Sequence, residues 1–108
     1  MPYKVSRCIA FQVPVRKKAI DFYTKVIGLK LKETSANLPE FETGNIRLFL
    51  DEGEPMPPIM ELIVPDLEAA RKELEANGCK VIRWEGKGKP CYIKDPFGFL
   101  FNLYEEPD

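Results

Sequence analysis

The chain has 108 residues, 44% of them apolar and 31% charged, which sizes it for one ordinary globular domain and excludes a disordered polymer. Its 16 Lys and Arg side chains against 17 Asp and Glu leave a net charge of −1, so there is no electrostatic case for a nucleic-acid partner. Histidine is absent, which removes the commonest general base and the commonest metal ligand together and excludes Ser-His-Asp and Cys-His nucleophile systems.

No apolar run approaches the ~20 residues of a membrane span, and Met1-Pro2-Tyr3-Lys4 carries no signal-peptide core. A cytoplasmic protein without a membrane partner is expected. The cysteines Cys8, Cys79 and Cys91 are odd in number and lack CxxC spacing, so neither a disulfide framework nor a thiolate zinc cage is expected.

Residues 4–13 alternate: Val5, Ile9, Phe11 and Val13 share a face with Arg7, and Lys4, Ser6, Cys8, Ala10 and Gln12 share the other. This pattern predicts a strand with an apolar face for a core and a smaller, more polar face for something else. From Arg16 the period becomes helical, with Ala19, Phe22, Tyr23 and Val26 as the buried stripe and Gly28 as the stop. Strands are expected from Leu29, over Glu40–Thr43 and over Ile46–Leu50, with a turn at Ser35–Pro39 and a hairpin at Gly44-Asn45. Asp51–Pro58, dense in proline and charge, reads as an exposed connector.

Ile59–Val64 predicts the next strand, with Ile59, Glu61 and Ile63 on one face. Asp66 is placed to cap a helix whose stripe is Leu67, Ala70 and Leu74, edged by the stem of Arg71 and stopped at Gly78. Strands follow over Cys79–Trp84 and Cys91–Lys94, joined by a charged turn. Asp95-Pro96-Phe97-Gly98 is a strong turn signal before a last strand. There Phe99, Phe101 and Leu103 point one way, and Leu100, Asn102 and Tyr104 the other.

Each half therefore reads β-α-β-β-β. Val13-Pro14 and Val64-Pro65 lie 51 residues apart, Gly28 and Gly78 lie 50 apart, and Gly44 and Gly98 lie 54 apart. Such spacing marks an internal duplication. The expected fold is α+β: one domain over residues 1–108, with modules at about 3–52 and 58–106, forming one cupped mixed sheet with helices outside.

Three stretches carry a resemblance. Ala19-Ile-Asp-Phe-Tyr-Thr-Lys-Val-Ile-Gly-Leu-Lys-Leu, Val64-Pro-Asp-Leu-Glu-Ala-Ala and Lys94-Asp-Pro-Phe-Gly-Phe-Leu-Phe-Asn-Leu together resemble the vicinal oxygen chelate superfamily, the glyoxalase/bleomycin-resistance/dioxygenase group. Metal-dependent members of that group place two ligands, commonly His or Glu, in each half. By position, those slots fall here at Cys8, Leu48, Ile59 and Asn102. Leu48 and Ile59 cannot ligate, so the resemblance implies a protein with no metal and no other cofactor.

Family members commonly pair as homodimers, so a homodimer is expected. The leading functional expectation is metal-independent binding of a small organic ligand, as in sequestration of the bleomycin-resistance type. Residues expected at the ligand are Cys8, Gln12, Glu61, Trp84, Tyr92, Asn102 and Tyr104. The alternatives are a metal-free lyase or isomerase using Glu61 as base, and a structural or regulatory dimer with a filled pocket.

Overall fold

The computed structural model describes residues 3–32 and 38–107. In chain order it forms β1 (Lys4–Val13), α1 (Arg16–Asp21) continuing as a π-helical segment (Phe22–Ile27), β2 (Lys30–Lys32), β3 (Glu40–Glu42), β4 (Arg47–Glu52) and β5 (Met56–Val64). Then come α2 (Leu67–Ala76), β6 (Lys80–Trp84), β7 (Cys91–Lys94) and β8 (Leu100–Glu105). The fold class is α+β, built from tandem β-α-β-β-β modules. No helix among the described residues is long and apolar enough to cross a membrane.

The chain divides into two compact units, one spanning Arg7–Pro58 and the other running from Ile59 onward and including β1 up to Ser6. Each repeats the same pairing. In the first, β1 runs parallel to β4, β4 antiparallel to β3, and β3 antiparallel to β2. In the second, β5 runs parallel to β8, β8 antiparallel to β7, and β7 antiparallel to β6. The glycine spacing read from the sequence is thus a duplication of topology.

In the first unit, Ile9, Phe11, Ala19, Ile20 and Tyr23 pack on Phe41, Leu48 and Leu50. The helical stripe departs from the expected one, because Phe22 and Val26 are exposed. For Val26 the π-helical segment is the reason: its wider turn turns through a smaller angle per residue, so an α-type spacing past Tyr23 no longer faces the core. Thr24 Oγ1 donates to the Ile20 carbonyl oxygen at 2.8 Å, competing with the main-chain ladder in this segment. Gly28 ends it at φ +89°, a left-handed conformation that glycine adopts without steric cost.

In the second unit, Leu67, Ala70 and Leu74 seat α2 on Val64, Cys91, Ile93 and Leu103. Asp66 caps as expected, its Oδ1 accepting from the Ala69 N–H at 2.9 Å. Glu105 adds a cap that the sequence did not suggest: its Oε1 accepts from the Leu67 N–H at 2.8 Å. Two of the helix's orphan donors are satisfied in this way.

Three further expectations change. The connector is shorter than Asp51–Pro58, because β4 runs to Glu52 and β5 starts at Met56. Pro57 and Pro58 are exposed at the start of β5, where a missing N–H is tolerated. Phe99 lies before β8 and is exposed, not packed with Phe101 and Leu103. The turn expected at Ser35–Pro39 falls largely outside the described residues.

Candidate functional site

The second unit presents a strand face away from α2. Register sets it: Ile59 pairs with Leu100, Glu61 with Asn102 and Ile63 with Tyr104, and Asn102 also pairs with Tyr92. Partners in adjacent strands share a face, so Glu61, Asn102, Tyr92 and Tyr104 are brought together as the sequence suggested. Ile59 and Leu100 are buried on this face, and Tyr104 is 41% exposed. Arg83, paired with Tyr92, sets its guanidinium over that ring at 5.7 Å.

The two polar side chains at the centre differ in kind. Asn102 Oδ1 accepts from the Cys91 N–H at 2.9 Å, so it is a structural amide fixing β7 against β8. Glu61 is half-buried and makes no hydrogen bond or ion pair with any described residue. Its carboxylate keeps its acceptor capacity on a face otherwise rich in Ile, Leu and Tyr.

In the first unit, Cys8 pairs with Arg47, Ala10 with Phe49 and Gln12 with Asp51. Arg47 forks onto Glu40 through Nε and Nη2, both at 2.9 Å, and its guanidinium lies 5.1 Å from the centre of the Phe49 ring. Glu40 is 3% exposed, and its hydrogen bonds from Arg47 hold its carboxyl below the usual carboxylate range against the opposing effect of burial. Gln12 is buried, and its Nε2 donates to the Glu54 carbonyl oxygen at 2.8 Å. It serves the β4–β5 connector rather than pointing an unused amide at a ligand.

Two placements are corrected. Leu48 pairs with Ile9 and packs in the helix-side core, so it does not share a face with Cys8. The β4 positions that do are Arg47 and Phe49. Trp84 pairs with Cys91 and also packs on the helix side. Its Nε1 donates to Glu68 at 3.3 Å, and the Arg71 guanidinium lies 4.9 Å from its ring centre. Arg47, Phe49 and Arg83 were missed as neighbours of the candidate residues. The alternation Arg47-Leu48-Phe49-Leu50-Asp51 was the signal for the first two: the two leucines belong to one face and the core claims it.

The inherited slots do not fit a divalent cation. Ile59 is a fully buried aliphatic side chain, Leu48 lies in the core, and Asn102 Oδ1 is engaged by Cys91. Among the described residues, no group of three His, Cys, Asp or Glu could hold a metal ion.

Duplicated β-α-β-β-β modules, each closed by a parallel pairing of its first and last strands, define the class of α+β proteins to which this chain conforms. The chain belongs to the Glyoxalase/Bleomycin resistance protein/Dioxygenase superfamily, matched over residues 8–103. It is 30% identical over 115 aligned positions, covering 85% of each chain, to a lactoylglutathione lyase of Escherichia coli O157:H7. Its fold is similar to that of a glyoxalase/bleomycin resistance protein/dioxygenase superfamily member from Vibrio splendidus 12B01, with TM-score 0.61 and 15% identity over 97% of this chain and 100% of that one. The fold is also similar to that of methylmalonyl-CoA epimerase from Mycobacterium tuberculosis, with TM-score 0.54 and 18% identity over 96% of this chain and 88% of that one.

Proposed function

We propose that the protein binds a small organic ligand on the Glu61–Tyr104 face without a metal ion, in the manner of a sequestering member of its superfamily. The observation that carries this reading is Glu61: a half-buried carboxylate with no protein partner among the described residues, beside an exposed tyrosine. Such a group favours a ligand that brings an ammonium or a hydroxyl. A hydrogen bond to a charged group contributes about 1.5–3 kcal/mol. Tyr104 offers a ring on which a flat part of the same ligand can stack.

The experiment is a thermal-shift titration in EDTA with metal-free bleomycin as a cationic probe and lactoylglutathione as a second. Saturable stabilisation in EDTA by the cationic probe is expected, reaching about 2.7 kcal/mol at a hundredfold excess over Kd. No shift with either probe, or a shift only after a divalent ion is added, would overturn the reading.

A second reading is favoured by the 30% identity to lactoylglutathione lyases. In it the protein is a metal-free lyase or isomerase and Glu61 removes the proton. Turnover of lactoylglutathione in EDTA, abolished by Glu61→Gln, would establish it. We also propose that the chain pairs as a homodimer, which light scattering of the purified protein would test directly.

A further inference from the structure

At the β6–β7 end of the second unit, an open surface pocket of about 520 Å³ is lined by Lys80, Lys94, Asp95, Pro96 and Phe97 between two glycines. That volume lies within the range of small-molecule sites. Lys80 and Lys94 are register partners on β6 and β7, so their side chains leave the same face side by side. Like charges placed this way repel, and neither lysine has an ion-pair partner among the described residues.

The wall beside them is built rather than frayed. Asp95 Oδ1 accepts from the N–H groups of Phe97 and Phe99, both at 2.9 Å, and Gly98 N–H donates to the Asp95 carbonyl oxygen at 3.1 Å. That turn holds the Phe97 ring 84% exposed. Gly78, at φ +100°, lets Pro96 close the floor: a Cβ there would lie 3.1 Å from Pro96 Cγ. Asp95 spends one oxygen on two N–H donors, so two lysines against one partly neutralised carboxylate leave the cavity positive.

We propose that this cavity binds a phosphate ester carried on a flat aromatic group, with the phosphate between Lys80 and Lys94 and the ring against Phe97. Two point-like ammonium charges match a dianion, and the phosphate would remove their mutual repulsion. An exposed phenylalanine fixed on a rigid turn supplies a stacking surface at little ordering cost.

The test uses the full chain, 15N-labelled, titrated with phenyl phosphate, phenol and inorganic phosphate. Phenyl phosphate is expected to shift the amides of Gly78, Lys80, Lys94 and Gly98 saturably, and to bind more tightly than either fragment. Lys80→Gln with Lys94→Gln should weaken phenyl phosphate about tenfold, an effect that falls as salt rises. Phe97→Ala should weaken phenyl phosphate about fivefold and leave inorganic phosphate unchanged. All three side chains are exposed, so the variants should fold, which circular dichroism checks. Equal affinity for phenyl phosphate and inorganic phosphate would overturn the proposal, as would shifts centred elsewhere or variants that bind like the parent.

Discussion

Glu61 and Asn102 are register partners across β5 and β8, yet among the described residues only the Asn102 side chain has a hydrogen-bond partner, the Cys91 N–H. The pair divides one strand face between a scaffold amide and an uncommitted carboxylate. Asn102→Ala should therefore destabilise by about 1–3 kcal/mol, the cost of a stranded N–H. Glu61→Gln should change stability by less than about 0.5 kcal/mol, as a substitution that breaks no protein contact does. Urea unfolding followed by Trp84 fluorescence measures both, since this is the chain's single tryptophan and it packs on α2.

The buried Glu40 ties β3 to β4 through Arg47, a bidentate pair that leaves no carboxylate oxygen idle. Arg47→Leu should cost about 2–4 kcal/mol, because it leaves a carboxylate buried without its fork. Adding Glu40→Leu to that variant should recover much of the loss. The double-mutant cycle by urea denaturation reads the coupling.

Acid should act on both units and alkali on the second, where Tyr3 and Glu105 lie. The carboxyls of Glu40 and Glu105 are held below their ordinary 4.5, the first by Arg47 and the second by Lys87 and the Leu67 N–H. Their contribution is therefore complete above about pH 4.5 and disappears as pH falls through the lower folded values. Burial, with the Glu73 carboxylate, pushes the Tyr3 hydroxyl up to about 12 from 10.0, so stability is lost as pH rises from 10 toward 12. Thermal unfolding across pH should show both limbs. Tyr3→Phe should shrink the alkaline one to the share of the Cys79 thiol, which burial and Asp95 also push up, and leave the acid one in place.

Gln12 and Gly53 fit one another closely. A Cβ on Gly53 would lie 2.8 Å from Gln12 Nε2, the atom that donates to Glu54. Gly53→Ala should cost about 1–3 kcal/mol, as overpacking does, by driving that amide off its acceptor. In a Gln12→Ala background the same substitution should cost much less. A melting series on the four proteins checks this.

Alternation made most of the fold legible in the sequence. Val-Pro, helix and glycine recur in the same order in both halves, and the structure repeats its strand pairing in the same order. Legibility failed where tertiary packing chose between faces. Leu48 was set beside Cys8 by counting slots, but Leu48 and Leu50 are the larger apolar pair and the core took them. Trp84 was expected at the ligand as an aromatic on a second-half strand, with no face assigned to it. The irregular β6–β7 register between Val81 and Arg83 breaks the parity on which such a count depends. The π-helical segment was invisible for a similar reason: its sequence carries an ordinary α-helical stripe, and only packing shows that Phe22 and Val26 face outward.

The donor set makes a further prediction about metals. After incubation with Ni²⁺, Zn²⁺ or Co²⁺ and desalting, elemental analysis should find far less than one ion per chain, because Ile59 offers no donor atom, Asn102 Oδ1 is engaged by the Cys91 N–H, and Arg47 and Phe49, the β4 residues on the Cys8 face, are not metal ligands. Stoichiometric retention would mean that other side chains hold the ion.

The most direct test of the account is calorimetric titration of metal-free bleomycin in EDTA into the parent protein and into Glu61→Gln. Saturable binding to the parent is expected, with at least about a tenfold loss in the variant, the share of one charge-assisted hydrogen bond. Equal affinity in the two proteins, or no binding until a divalent ion is supplied, would contradict it.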